Sequence, residues 1–250
     1  MCADAIGIEL RAAYLKYLDS DSPTLSGLNM SIPQGEWTCL LGRSGSGKTT
    51  LLRYLAGLLD DKVEVGGLIS LSRGDDLDDQ IAYMAQQDLL LPWLNVVDNV
   101  LLSRKFSTQQ TMGERERALT LLEQVGLAGY AKAMPSQLSG GMRQRVALAR
   151  TLMQDKPVVL MDEPFSALDA VTRYKLQTLS ASLLKDKTVI LITHDPQEAI
   201  RLAHTLYLLQ GSPAKAQSLA VPSTLPPRVI DGECAALQQT ILQSLELDYE

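Results

Sequence analysis

Cysteine, histidine and aromatic residues are scarce in this chain. Its 250 residues include 3 cysteines, 2 histidines and 5% aromatic residues. The cysteines (Cys2, Cys39 and Cys234) are odd in number and show no C-x-x-C spacing. Neither a disulfide framework nor a zinc cluster is therefore expected, and reduced thiols in a cytosolic protein are the expected state.

Long apolar runs and an excess of basic charge are also missing. No stretch of about 20 apolar residues occurs, so the chain is not expected to span a bilayer. The segment Met1–Leu10 has no basic flank followed by an apolar run, and it does not resemble a secretory signal. The formal net charge is −6. Broad nucleic-acid surfaces are normally basic, so no nucleic-acid partner is expected, although a local backbone cradle could still bind a polyanion.

Apolar residues are abundant and arranged for a buried sheet. They make up 46% of the chain, enough for a sizeable core. Short apolar runs predict parallel strands at Thr38–Leu41, Ile81–Met84, Val158–Met161, Thr188–Thr193 and Thr205–Leu209. Helical patterns lie between them at Lys48–Leu58, Gly113–Val125, Gly140–Gln154, Ala170–Leu184 and Pro196–Ala203. This alternation predicts a doubly wound α/β core.

Other segments break the alternation of strand and helix. Residues 4–36 and 62–73 contain short strand patterns with turns, which predict an antiparallel lobe beside the core. Residues 87–137 lack a strand pattern and predict an inserted helical lobe, with helix starts near Asn95 and Thr111. The proline-rich segment 211–233 predicts an extended connection. After it, Glu233–Leu247 has helical spacing, and packing on the core is favoured over binding a partner.

A phosphate-binding loop follows the first core strand. Residues 42–49 fit G-x-x-x-x-G-K-[ST] at every specified position, and they lead directly into a helix. Glycines let the backbone wrap around oxygen atoms, and successive N–H groups with the helix start form an anion site. Lys48 is expected to reach the β- and γ-phosphates, and Thr49 to offer its hydroxyl to Mg²⁺. A plain Gly/Ser-rich turn is the alternative, and the complete match in this context disfavours it. The predicted ATP-binding loop residues are Gly42, Arg43, Ser44, Gly45, Ser46, Gly47, Lys48, Thr49 and Thr50.

Two carboxylates end a later buried strand. Asp162 and Glu163 follow Val158–Met161, at the sheet edge where ligands of open α/β sheets bind. Asp162 is predicted to hold Mg²⁺, and Glu163 to orient the attacking water. A solvated acidic turn is the competing interpretation. His194 follows the next core strand and is predicted to reach a γ-phosphate from the side, whereas no function is assigned to His204.

A second anion-binding helix start lies at Leu138–Arg145. Ser139 is a favourable N-cap, and Gly140-Gly141 leave the first turn open to a ligand. The chain already carries one phosphate loop, and this segment has no lysine. These features together indicate a phosphate held by another copy of the chain.

This Leu-Ser-Gly-Gly-Met-Arg-Gln-Arg run resembles the signature motif of the ATP-binding subunits of ABC transporters. The resemblance implies a P-loop NTPase core of the RecA type, with the antiparallel and helical lobes already described. It implies an ABC ATPase domain at 4–210, with a helical subdomain at about 87–150. Residues 211–250 would be a C-terminal extension.

The resemblance also assigns roles in a head-to-tail dimer with two ATP molecules at its interface, formed as a homodimer or with a paired ATPase subunit. Ser139, Gly140, Gly141 and Asp169 would face the ATP of the opposite subunit, Asp169 as part of the D-loop. Gln86 would contact Mg²⁺ and sense a membrane partner, and His194 would be the switch histidine. Tyr17 is the best match to the aromatic residue that stacks on adenine, with Tyr14 as its competitor.

The run Leu89–Leu94, together with Met142–Arg145, resembles importers of the nitrate, sulfonate and taurine group and of thiamine-pyrimidine precursors. This implies an integral-membrane permease, a solute-binding protein acting indirectly, and a peripheral location on the cytoplasmic face of the inner membrane. Trp93 would lie at the rim of the groove facing the permease. A buried helix entry that stops at proline is the plainer interpretation of the same run.

Three other functions are alternatives to an importer ATPase. A soluble ABC-type ATPase of repair or translation would usually carry two cassettes or long coiled-coil insertions, and neither is present in the sequence. A non-hydrolysing nucleotide-binding module conflicts with the presence of Lys48, Asp162, Glu163 and His194. A small-molecule kinase would leave Ser139–Gly141 unexplained.

Overall fold

The computed structural model describes residues 5–59, 63–74, 76–105 and 113–248. Within them, the strands are β1 (Ile8–Tyr17), β2 (Leu25–Ile32), β3 (Trp37–Gly42), β4 (Val63–Leu71), β5 (Ile81–Met84), β6 (Val158–Asp162), β7 (Thr188–Ile192), β8 (Thr205–Gln210) and β9 (Lys215–Leu219). The α-helices are α1 (Lys48–Leu55), α2 (Val96–Val100), α3 (Leu102–Lys105), α4 (Glu114–Gln124), α5 (Gly140–Met153), α6 (Ala170–Leu183), α7 (Pro196–Leu202) and α8 (Gly232–Leu247). None of these helices combines the length and apolarity needed to cross a membrane.

The central sheet has the strand order β5-β6-β7-β3-β8-β9. All pairings are parallel except that of β8 with β9. Every residue of β3, β6 and β7 is buried, because both faces of these strands are covered. The five core strands predicted from the sequence are confirmed, each within one residue of its predicted ends.

The two faces of this sheet are covered differently. Along β7, Val189 and Leu191 pack in a large cluster with the helices, including α5 and α7. Ile190 and Ile192 point the other way, into a cluster with α1 and the antiparallel lobe. That lobe is a second sheet of order β2-β1-β4, so the predicted antiparallel lobe lies over one face of the core.

The helical region follows β5. Asn95 caps α2, and its Oδ1 accepts a hydrogen bond of 2.9 Å from the Asp98 amide, as the predicted helix start requires. The other predicted start, Thr111, lies outside the described residues. The first core helix, α1, ends at Leu55 rather than at the predicted Leu58, because Gly57 adopts a positive φ of 65° and leaves the helix.

The segment after β8 is more ordered than the sequence predicts. Residues 215–219 form β9, antiparallel to β8, where the proline-rich sequence predicts only an extended connection. The prolines that suggested a connection flank this strand and do not interrupt it. Beyond it, α8 starts with Asp231 as its cap and buries Cys234 and Ile241, so the predicted terminal helix does pack on the core.

A buried glutamate of α7 should make the free energy of unfolding depend on pH. Glu198 is 4% exposed, and burial is the main cause that raises its pKa to about 7. Its pKa in the folded state lies above the ordinary glutamate value of 4.5, so the folded state binds this proton more tightly. The free energy of unfolding should therefore fall as the pH rises from 4.5 to about 7. The upper limit of this loss is about 3 kcal/mol. Glu198→Gln should flatten that slope in urea titrations at several pH values; an unchanged slope would contradict the assignment.

Candidate nucleotide-binding site

A cleft of about 630 Å³ opens where the parallel strands of the central sheet end. Most residues predicted to bind nucleotide line it: Tyr17, Gly42, Arg43, Ser44, Gly45, Gly47, Lys48, Thr49, Thr50, Gln86, Asp162, Glu163 and His194. Ser46 is buried and does not line this cleft; its Oγ accepts a hydrogen bond of 3.3 Å from Lys48 Nζ. The competing tyrosine, Tyr14, is paired with Gly66 of β4 and does not line this cleft.

Two glycines of the phosphate loop are required by its geometry. Gly42 has a φ of 154°, and a Cβ there would collide with the carbonyl oxygen of Leu209. Gly47 has a φ of 83°, and a Cβ would lie 2.9 Å from Thr24 Cγ2. The loop can therefore pass close to β8 and β2 only without these side chains.

Lys48 turns back into the loop. Its Nζ donates hydrogen bonds of 2.8 Å and 2.7 Å to the carbonyl oxygens of Gly42 and Arg43. Burial lowers the pKa of Lys48, while the negative charges of Glu163 and Asp162 act in the opposite direction. A buried ammonium flanked by loop N–H groups is suited to a polyphosphate, whose charge would compensate for the lost hydration.

Asp162 and Thr49 form the pair of oxygen groups that the sequence predicts for a metal ion. Thr49 Oγ1 donates a 2.7 Å hydrogen bond to Asp162 Oδ2. Burial raises the pKa of Asp162, and the Thr49 hydrogen bond opposes that change. The described residues contain no cluster of three or more His, Cys, Asp and Glu side chains that could hold a metal. The hydroxyl and carboxylate oxygens of this pair are donors that suit Mg²⁺, which uses few protein ligands and takes the rest from phosphate and water.

Three strand ends converge on the Glu163 carboxylate. Its Oε2 accepts a 3.2 Å hydrogen bond from Gln86 Nε2 and lies 3.2 Å from His194 Nδ1. Gln86 follows β5, Glu163 follows β6, and His194 follows β7, so neighbouring parallel strands bring the three together. Glu163 has a φ of 49°, an unusual backbone conformation for a non-glycine residue, which directs its side chain into the cleft.

The second predicted anion site does not line this cleft. Ser139 caps α5, with its Oγ accepting a 3.3 Å hydrogen bond from the Met142 amide, and Ser139 and Gly140 are exposed. Asp169 caps α6, and the hydrogen bonds that its carboxylate accepts from Thr172 lower its pKa. One chain therefore brings together the phosphate loop, the acid pair and His194, whereas Ser139–Gly141 and Asp169 present a separate surface.

Some residues of the cleft were not found by sequence reasoning. Thr24, Ile192 and Leu245 line it, and Arg43 Nη1 donates a 2.6 Å hydrogen bond to the carbonyl oxygen of Asp248. The end of α8 thus lies against the phosphate loop. The helical spacing of Leu237, Ile241 and Leu245 identifies the packed face of α8, but no local signal shows where that helix ends in space.

A glycine loop with its lysine, facing an acidic strand end on a parallel sheet, defines a P-loop NTPase. The family model described as ABC transporter matches residues 25–166. The chain belongs to the ABC transporter family, and it is an ATPase cassette of that family. The predicted family, fold class and ATPase activity are thereby confirmed.

Several known proteins are similar to this chain over most of its length. The aliphatic sulfonates import ATP-binding protein SsuB 1 of Rhodococcus jostii is 40% identical over 242 residues, covering 96% of this chain and 94% of its own. An uncharacterized ABC transporter ATP-binding protein of Haemophilus influenzae is 45% identical, covering 87% and 90%. The dimeric post-hydrolysis state of the ATP-binding cassette MJ0796, bound to ADP and Pi, has a TM-score of 0.75 at 30% identity, covering 87% and 100%. The resemblance to the sulfonate group of importers is confirmed by the similarity to SsuB 1.

Proposed function

We propose that this cassette drives import of a small solute of the sulfonate, nitrate, taurine or thiamine-pyrimidine precursor class through a separate permease. The observation that carries the proposal is the convergence of Gln86 and His194 on Glu163 beside a complete phosphate loop. The similarity to sulfonate importers over 96% of the chain supports the solute class. On this proposal the cassette acts as a peripheral protein on the cytoplasmic face of the inner membrane.

The phosphate loop would hold the triphosphate. Backbone N–H groups and Lys48 bind its oxygen atoms, and Tyr17 at the end of β1 stacks on adenine. Thr49, Asp162 and Gln86 would hold Mg²⁺, which would neutralise charge on the transferring phosphoryl group. These contacts orient the γ-phosphate toward Glu163 without any covalent step on the protein.

Glu163 would act as the general base. Its carboxylate accepts a proton from the attacking water as the water oxygen bonds to the γ-phosphorus and ADP departs. Gln86 and His194 hold Oε2 of that carboxylate, and His194 is exposed enough to reach the γ-phosphate from the side.

A second subunit would complete each site. Ser139, Gly140 and Gly141 at the exposed start of α5 bind the γ-phosphate held by the opposite subunit, and the neighbouring Asp169 faces the same interface. The dimeric MJ0796 cassette supports this arrangement. ATP therefore closes the dimer, and hydrolysis releases it.

The surface after Gln86 would meet the permease. Trp93 is 70% exposed and Leu89 59% exposed, although both are large apolar residues. Asn99 fixes the segment between them, because its side chain bonds the backbone of Leu91 and Leu94. An apolar rim on a rigid segment that follows Gln86, whose side chain contacts Glu163, is suited to transmit closure to a membrane partner.

The test is reconstitution with the permease and the solute-binding protein in proteoliposomes. Trp93→Ala should lower sulfonate uptake about tenfold, the effect of about 1.4 kcal/mol at the contact, while the ATPase activity of the isolated chain stays unchanged. Leu119→Ala, an exposed residue of α4, is the matched control. Full uptake by the Trp93 variant would show that this surface does not contact the permease. If the wild type took up no solute of the class, the proposal that the cassette serves an importer would be wrong.

A further inference from the structure

Gln144 lies in the second turn of α5 and is almost fully buried, at 5% exposure. Its side-chain Nε2 donates a 2.9 Å hydrogen bond to the carbonyl oxygen of Glu163 and lies 3.4 Å from Ser166 Oγ. Its Oε1 accepts a 2.9 Å hydrogen bond from the Ala167 amide. A single amide group therefore joins α5 to the residue after β6 and to the turn that precedes α6.

Both backbone polar groups of Glu163 are hydrogen-bonded. Its N–H donates a 2.9 Å hydrogen bond to the carbonyl oxygen of Ile192, and its C=O is held by Gln144 and by Ser166 Oγ at 3.1 Å. A positive φ at a non-glycine residue persists only where neighbours over-determine it. The orientation of this peptide decides where the Glu163 carboxylate lies, so Gln144 acts on the site through the backbone.

The first turn of α5 packs against the same turn. A Cβ on Gly141 would lie 3.0 Å from the carbonyl oxygen of Ala167, so the helix start and this turn are in close contact. One helix thus carries Ser139, exposed toward a partner, and Gln144, buried against its own chain's Glu163.

We infer that Gln144 is a positioning residue that holds Glu163 of its own chain in place, whereas Ser139, on the same helix, serves the ATP of the opposite subunit. The inference rests on the proposed function, and it assigns Ser139 and Gln144 to different ATP sites of one dimer. A purely structural role, in which Gln144 only supports α5, would place its effect on the opposite site, together with that of Ser139.

Gln144→Glu tests whether Gln144 positions Glu163. The variant keeps an oxygen acceptor for the Ala167 amide but cannot donate to the Glu163 carbonyl. The expected result is a kcat lowered about 100-fold, the cost of a small misplacement of a reacting group, with a KM for ATP changed less than about threefold. Gln124→Glu, the same change at an exposed position of α4, is the control and should behave as wild type. Gln144→Met, neutral and of similar length, should repeat the kcat loss if the glutamate variant does not fold.

Mixed dimers test which site Gln144 serves. Two arrangements are compared by the ADP formed in a single turnover. This amount gives the number of sites that hydrolyse ATP and does not depend on how fast the dimer reopens. With Gln144→Glu in one chain and Ser139→Ala in the other, both changes fall on one site, and about one ADP per dimer is expected. With both changes in the same chain, paired with wild type, both sites are impaired and little ADP is expected.

The opposite pattern, or equal ADP in the two arrangements, would overturn the inference. So would a kcat of the Gln144→Glu homodimer equal to that of the wild type. Failure of the proposed function is recognised separately, because the wild type would then drive no solute uptake in proteoliposomes, whereas the ADP count needs no permease.

Discussion

Glu163→Gln should lower the turnover of ATP by about 10²–10⁴-fold, the range for loss of a general base. The amide keeps the length of the side chain and an oxygen for Gln86, but it cannot accept a proton from water. ATP affinity should be retained, because Lys48 and the loop are untouched. Steady-state phosphate release and equilibrium nucleotide binding are the two measurements required.

The control for this variant is Glu116→Gln, the same change on the exposed face of α4. It should hydrolyse ATP at the wild-type rate. Wild-type turnover by Glu163→Gln would remove Glu163 from the chemistry and would shift attention to His194 as the group that orients water. Loss of binding together with turnover would instead indicate that the strained backbone at Glu163 had collapsed.

Lys48→Ala should weaken ATP binding about 100-fold, as expected when a charge-assisted contact to phosphate worth about 3 kcal/mol is removed. The ammonium is largely buried, and its pKa is lowered mainly by burial, so a bound polyphosphate is the partner that would compensate for its lost hydration. Fluorescent nucleotide titration gives the dissociation constant. ATP-dependent dimer formation should be lost in parallel.

Lys185→Ala removes an exposed lysine of the same chain and should leave ATP affinity unchanged. The thermal stability of both variants should be compared, because Lys48 also bonds the carbonyl oxygens of Gly42 and Arg43. Wild-type affinity in a folded Lys48 variant would refute the assignment of residues 42–49 as the triphosphate cradle.

The chemistry-bearing residues could be predicted because their signals are local. The phosphate loop is eight consecutive residues between a strand and a helix, and Asp162, Glu163 and His194 each follow a buried apolar run. Parallel strands bring such residues to one sheet edge, so spatial proximity follows from the pattern. The family resemblance added the roles of Gln86 and Asp169, which spacing alone does not provide.

The parts that escaped prediction depend on tertiary packing. The β9 strand forms only because β8 offers a free edge, and its own sequence, Lys-Ala-Gln-Ser-Leu, has little strand preference. Leu245 reaches the cleft because the end of α8 lies against the phosphate loop; the helical spacing predicts that α8 packs on the core but not where it ends. The buried contacts of Gln144 are similarly invisible, since a glutamine on an amphipathic helix gives no indication of its partner.

The molar mass of the Glu163→Gln chain with saturating MgATP tests the shared site most directly. Light scattering should show a dimer, about twice the 27.3 kDa of one chain, and adding Ser139→Ala should return it to the single-chain mass. The account would be contradicted by a Glu163→Gln chain that binds ATP yet remains at 27.3 kDa on its own, and that still does not pair with a second copy when its permease is present. A dimer indifferent to Ser139 would contradict it as well.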